Sequence, residues 1–434
     1  MTNTRTTMLA AAGLGLALAT LAADVRRDGQ AGRAPAQAFV NARLVGGDGR
    51  VIAPRGVLVV SGERIAAAGP AGTVDVPDGA DTVDLAGRTV MPGLINAHGH
   101  VADTFGLDTG AEHYTTENLV RQLELYAAYG VTTVASLGGD GPEGFALRDA
   151  SSGPVGHARL LVAGPVVSAF TAEDARAEVD RVAAMRPDFI KIRVDDNLGS
   201  TRKMPIEVAR AVIDRAAAHG LKVAAHVFYL EDARALVAAG VGLIAHSVRD
   251  QPVDEALTGL LRERGVCVSP TLTRELSTFV YESEPAFFDD PFFLRRADPA
   301  VLDALRDPAR QARMRESTSA QRYKAALEVA TANVRRLADA GVGLAFGTDT
   351  GPPARFQGYF EHLELEMMQA AGLEPPVVIA SATGGAAACL GLDDRGDLAA
   401  GRQADFVVLT GDPLADVRGA RTIESVWISG RRLR

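Results

Sequence analysis

Residues 188–248 read DFIKIRVDDNLGSTRKMPIEVARAVIDRAAAHGLKVAAHVFYLEDARALVAAGVGLIAHSV. Three short apolar runs, DFIKIRV, LKVAAHVF and VGLIAHSV, alternate with stretches of helical spacing, of which PIEVARAVIDRAAAHG is the clearest. A strand that is apolar throughout has both faces covered, and a helix between two such strands is the crossover that a parallel pair needs. The pattern extends both ways. VMPGLINAHGH, GVTTVASLG and ARLLVAGP come before it, and GVCVSPTL and VGLAFGTDT come after. Eight runs are what a (β/α)8 TIM barrel requires, so the expected fold class is α/β with such a barrel. A doubly wound open sheet is the alternative. No G-x-G-x-x-G follows the first run, which argues against its dinucleotide-binding form.

The flanks differ from this middle. AFVNARLVGGDG, GVLVVSGERIAAAG and DTVDLAGRTV near the start, and ADFVVLTGDP and IESVWISGRRL at the end, are apolar runs broken by Gly, Asp and Pro. Neither piece is large enough to be stable alone, so the expectation is one small β-sandwich built from both chain ends. The boundaries read as 39–90 with 393–434 for this composite domain, and 91–392 for the barrel. Before them, Arg5 and the apolar stretch MLAAAGLGLALATLAA read as a signal peptide over residues 1–23, with a linker over 24–38. That stretch is too short and too rich in Ala and Gly for a good membrane span, and no other segment could be one. A periplasmic or secreted protein is expected, with no membrane contact in the mature form.

The bulk numbers limit the function classes. With 434 residues, 47% of them hydrophobic, the chain can bury a large core. The formal charge is −9, from 45 basic against 54 acidic residues, and no basic stripe appears, so a nucleic-acid role is disfavoured. A small-molecule substrate is the expected partner, with a homo-oligomer left open. Cys267 and Cys389 each sit in an apolar run and read as buried free thiols, a disulfide being the alternative.

Polar residues interrupt the runs at telling places. His98 and His100 are spaced i, i+2, so in a strand they face one way roughly 6.5–7 Å apart, within reach of one cation. His226 ends KVAAH, His246 ends LIAH, Asp349 ends LAFGTD and Lys191 lies inside DFIKIRV. Each is at or near the C-terminal end of an expected barrel strand, where barrel enzymes keep their catalytic groups. Taken singly, a strand-end His is more often a hydrogen-bonded core residue, Asp349 could be a turn residue and Lys191 an ion-paired one. Together they are hard to obtain by chance, and imidazole with carboxylate suits zinc, manganese, iron or nickel.

Four further residues are candidate substrate contacts. Arg193 lies two residues beyond Lys191 and could take a carboxylate or phosphate bidentately, or be paired to Asp195 or Asp196. Arg274, in TLTRE, is of the same kind. Tyr229 follows His226, and His113 follows the first run. Between Thr273 and about Val329 runs a long insertion holding Phe279, Phe287, Phe288, Phe292 and Phe293. An insertion after a barrel strand lies on the active-site face, so it reads as a lid or substrate wall that suits an apolar group.

On MPGLINAHGH (91–100), DFIKI, VAAH, IAHS, GTD and the tail GRQADFVVLTGDPL (401–414), the sequence resembles the amidohydrolase superfamily, nearest its imidazolonepropionase-like and prolidase-like branch. The resemblance covers nearly all of the chain after the signal segment. It implies two divalent metal ions, zinc first, with Mn, Fe, Ni or Co able to serve. His98, His100 and Asp349 would hold one ion and His226 and His246 the other. Lys191, as a carbamate, would bridge both. It further implies a bridging hydroxide that attacks an amide-like bond, with Asp349 moving the proton and His246 helping at the oxyanion. Esterase, lactonase or organophosphate hydrolase activity on the same site is the runner-up, and a non-catalytic binding protein the distant alternative. Two departures stand out. Where deaminases of the superfamily carry Glu, three residues after the strand-five histidine, this chain has Tyr229. Prolidase-like relatives place a tyrosine two residues after that histidine, and here that position is Phe228.

Overall fold

The computed structural model describes residues 36–150 and 156–433. The expected signal peptide (1–23) and most of the linker (24–38) lie outside the described residues. The fold is mixed α/β of the TIM-barrel type. Seven of the eight runs form strands: Leu94–Gly99, Val131–Ser136, Arg159–Val162, Ile190–Val194, Val223–Val227, Leu243–Ala245 and Cys267–Ser269. The first three pair in parallel in one sheet and the last four in another. Backbone bonds Val167 N to Lys191 O and Asp188 N to Val162 O join the two sheets.

The eighth run departs from a regular ladder. Leu344 makes one parallel bridge to Val268, and beyond it the backbone turns toward the first strand, with Ala97 N bonding Phe346 O and Thr348 N bonding His98 O. Close approach explains this. A Cβ on Gly347 would lie 2.3 Å from Ser269 Oγ and 2.8 Å from His98 Cβ, so only glycine lets this segment pass.

Helices follow the runs in turn, among them Thr116–Ala128, Ala172–Ala184, Ile206–Ala218, Leu230–Ala239, Glu255–Arg264, Thr318–Asp339 and Tyr359–Ala370. Several begin at a side-chain cap that takes up an otherwise unpaired N–H, as Thr115, Thr171 and Asp254 do. Their inner faces bury Val, Leu, Ile and Ala against the strands in one large core.

Both chain ends meet in a single eight-stranded sheet. Strands Phe406–Leu409 and Ile423–Ile428 join those of residues 37–92 through antiparallel pairing of Phe406–Leu409 with Thr89–Pro92. Phe406 and Trp427 stack within it, and Phe39 meets both edge-on. Arg159, at the start of a barrel strand, reaches this sheet through Asp405 at 2.9 Å.

One expectation is corrected. Cys267 and Cys389 are not free thiols: they form a disulfide, with Cα atoms 6.0 Å apart. The pairing spans 122 residues, and only the packing of helix Gly384–Leu390 against the N-terminal ends of the barrel strands brings the two together. The insertion's phenylalanines are mostly its own core. Phe288 and Phe293 are buried with Tyr281 against Tyr129, Tyr359 and Phe360.

Candidate metal centre

Strand ends carry the expected ligands to one place. His98 and His100 lie at the end of Leu94–Gly99, and Asp349 follows the eighth run. One ligand atom from each lies within 4.8 Å of the others. His100 Nε2 is 2.8 Å and His98 Nε2 3.4 Å from Asp349 Oδ1. Lys191 Nζ stands 3.4 Å from His98 Nε2. His226 and His246 form an adjoining pair, Nδ1 of the first 2.8 Å from Nε2 of the second, and the His246 ring lies 4.7 Å from that of His98.

The charge states suit cation binding. Burial keeps the imidazoles of His98 and His246 neutral well below the usual histidine range, and holds His226 down to about 3 despite the nearby Asp195. Burial also pulls the Lys191 ammonium down to about 8. Asp349 is ionised: burial would raise it, but the Arg355 charge and the His100 contact push it well below the carboxylate range.

Hydrogen-bond direction tests the fit to a cation. His100 Nδ1 is 3.1 Å from the Gly138 carbonyl, so the N–H is there and the Nε2 lone pair points at the Asp349 carboxylate. Two acceptors facing each other at 2.8 Å need a positive charge between them. The second pair behaves alike. Asp195 takes the Nε2–H of His226 at 2.8 Å, leaving the Nδ1 lone pair toward His246. Thr271 Oγ1, 2.6 Å from His246 Nδ1, can accept that N–H and turn the other lone pair inward. The donor set therefore fits divalent cation binding. The backbone is strained at the same spot: His246, Asp349 and Thr271 have φ of 71°, 58° and 53°, a left-handed region that costs any side-chain-bearing residue, most of all a β-branched one.

The expected substrate contacts separate. Arg274 is buried, with Nε 4.0 Å from Asp349 Oδ2 and a pair to Glu275 at 2.8 Å. Tyr229 gives its hydroxyl to Asp196 at 2.7 Å, next to the Asp195–His226 pair. Arg193 is exposed and takes Asp195 at 3.2 Å, the structural pairing. His113 sits on a surface turn, 3.0 Å from Asp108.

Sequence reasoning missed three groups. Asp195 orients His226, and burial that would raise its carboxyl is outweighed by the bond from that histidine. Arg355 grips Asp349 Oδ2 and its carbonyl. Glu364, fully buried, accepts from Leu272 N, Thr273 N and Thr273 Oγ1, and so holds the strained turn at Thr271. None ends a strand. Asp195, four residues beyond Lys191, offered the one readable hint.

A model of the amidohydrolase family matches residues 89–433. The imidazolonepropionase of Rubrobacter xylanophilus is 28% identical over 389 residues, 81% of this chain and 84% of that protein. That of Deinococcus deserti is 39% identical over 103 residues, 23% of this chain and 26% of the relative. Among solved structures, a prolidase candidate from Bifidobacterium longum superposes with a TM-score of 0.73 at 26% identity, covering 93% of this chain and 95% of that one. A Xaa-Pro dipeptidase with methionine in its active site gives 0.74 at 22% identity over 92% of this chain and 100% of its own, a likeness of fold.

Proposed function

The chain belongs to the amidohydrolase family and is a metal-dependent hydrolase, and we propose that it cuts amide- or peptide-like C–N bonds of a small, partly apolar substrate of the N-acyl amino acid or dipeptide type. The observation that carries this is the pair of opposed lone-pair sites, His100 against Asp349 and His226 against His246. In this reading His98, His100 and Asp349 hold one divalent ion, zinc first, and His226 and His246 the second. Lys191 serves both as a carbamate, which the lowered basicity of its amine favours, since only the neutral amine combines with CO2. Such ions acidify a water and polarise the substrate carbonyl. Asp349 takes the proton of that water and returns it to the leaving nitrogen. Arg274, beside Asp349, meets the substrate, and the left-handed turns at His246 and Asp349 keep the side chains aimed.

The same reading takes the ring of eight runs as closed, which the bonds from residues 343–350 to strands on both sides support. It takes 39–90 with 393–434 as a composite β-domain. It places the enzyme in the periplasm or outside the cell, acting on a small molecule, and the Cys267–Cys389 bond supports an oxidising compartment.

The test is metal per chain by elemental analysis, with turnover of N-acyl amino acids, dipeptides and aryl esters. About two ions per chain and turnover of the amides are expected. Lys191→Ala should lose metal and activity together, without rescue by bicarbonate. Two retained metals and full turnover in that variant would sink the bridging role, and turnover of esters alone would replace the C–N assignment.

A further inference from the structure

A cleft of about 730 Å³, counted to its open mouth, lies beside the metal centre and contains none of its ligands. Its walls come from the turn after the first barrel strand, the helix Thr116–Ala128, the insertion, and the loop 351–359. Three of these four follow C-terminal ends of barrel runs, so the cleft belongs to the active-site face.

The cleft touches the backs of two expected ligands. A Cβ on Gly351, in its wall, would lie 2.4 Å from the His100 carbonyl, and at φ +115° only glycine is at ease there. Gln357, also in the wall, donates to the same carbonyl at 2.9 Å. Arg355 lines the cleft while its Nη1 holds Asp349. Whatever fills this space is one residue away from the reacting region.

Its chemistry is specific. Phe105, Phe293, Val301 and Phe356 give apolar walls. The charges are Arg121, Arg296 and Arg355 against Asp298. Arg121 is exposed and lies over the equally exposed Phe105 ring at 4.7 Å, and its hydrogen bonds go to neutral Asn118. Arg355 spends Nε on Ser277 and Nη1 on Asp349, and among the described residues no acceptor meets Nη2. Three cations against one carboxylate beside aromatic walls leave a positive surplus that an anionic group can meet through charged hydrogen bonds.

We propose that this cleft takes the carboxylate-bearing end of the substrate, an aryl or branched-alkyl carboxylate whose apolar part lies against Phe293, Val301 and Phe356 and whose carboxylate is met by Arg121 and Arg355. That the occupant is part of the substrate rests on the hydrolase reading above. The binding itself does not.

Titration calorimetry of the full metal-loaded chain with 3-phenylpropionate and with its neutral amide, 3-phenylpropionamide, tests it. The acid should bind at least about tenfold more tightly than the amide, the difference that charged hydrogen bonds make. Arg121→Gln should weaken the acid about tenfold and leave the amide unchanged. Ala297→Trp, which puts an indole in the cleft wall, should abolish binding of both with the metal count unchanged. Equal binding of acid and amide overturns the proposal. So does acid binding that neither variant affects, which would place the carboxylate on the metals. A protein that binds in the expected pattern but cuts no C–N bond keeps the cleft and loses the proposed function. One that cuts dipeptides but fails the pattern does the reverse.

Discussion

Two buried charge clusters sit at opposite ends of the barrel and are built on opposite principles. At the N-terminal end, Arg159 reaches Asp405 at 2.9 Å and Gln403 at 3.2 Å and also bonds Ser429, while Asp405 takes the Ser429 amide at 2.7 Å. Charges balance and the backbone at Arg159 and Asp405 is unstrained. At the C-terminal end, Asp349 faces a lone pair of His100, is gripped by Arg355, and sits on a left-handed backbone. Close by, Arg249 and Arg274 share one carboxylate, Glu275. Arg249 Nε lies 2.9 Å from Glu275 Oε1 at an angle that makes a charge contact and not a hydrogen bond. The first cluster fixes the barrel to the β-sheet. The second holds groups in states they would leave unless a cation and a substrate joined them. A buried network that is fully satisfied serves structure, and one that is not marks the place where a ligand completes it.

The contrast predicts opposite mutational signatures. Asp349→Asn should lower kcat by between about 10² and 10⁴-fold, the range for loss of a proton-transfer group. The metal-free protein should lose less stability than the Arg159 variant, since relief of the opposed lone pairs offsets part of the cost of leaving Arg355 without its carboxylate. Steady-state kinetics beside urea unfolding decides this, and a strongly destabilised Asp349→Asn apoprotein would break the comparison. Arg159→Met should do the reverse. Stripping one partner from a buried pair costs about 3–5 kcal/mol, whereas metal per chain and kcat of the folded fraction should hold. Loss of metal in Arg159→Met would mean that the two ends are coupled.

How far the sequence foretold this arrangement can be argued from the same residues. The expected ligands were legible because each interrupts or ends an apolar run, and a polar residue there breaks a pattern that burial otherwise enforces. Seven of eight runs formed strands for the same reason. The eighth lost its ladder to the close passage of Gly347 beside His98, a contact between residues 249 apart that no local pattern encodes. Arg355, Glu364 and the Arg159–Asp405 pair were silent because an Arg or Glu on a loop or helix face reads as solvated until the fold buries it. The two cysteines were read as free thiols on their apolar surroundings, and those surroundings turn out to be one shared cluster.

That disulfide tests the N-terminal end a second way. Cys267→Ser should cost about 2–4 kcal/mol by freeing the unfolded chain, with little change in kcat, because Cys267 starts the strand whose far end leads to Thr271. Comparison of melting with and without reductant gives the check. A reduced protein that loses metal would show that strain at Thr271 depends on the staple beneath it.

The smallest effect separates buried histidines by location. His362, in helix Tyr359–Ala370, shares only the Tyr129 carbonyl and is held down to about 3 by burial, as His226 is at the metal centre. In the unfolded chain both titrate near 6.5. Between those values the unfolded state binds protons that the folded state refuses, so stability is full above about pH 6.5 and falls as pH drops toward 3, by about 1.4 kcal/mol per pH unit for each histidine. His362→Gln should remove one such contribution from the metal-free protein and from the loaded one alike. For His226 the proton also competes with the bound ion, so zinc should extend the stable plateau to lower pH, and His226→Gln should shorten that extension, leaving the part due to the ion at His98, His100 and Asp349. Urea midpoints at pH 7, 6, 5 and 4, with and without zinc, read both. A zinc-dependent shift that His226→Gln leaves unchanged would remove that histidine from the centre and leave it a core residue like His362.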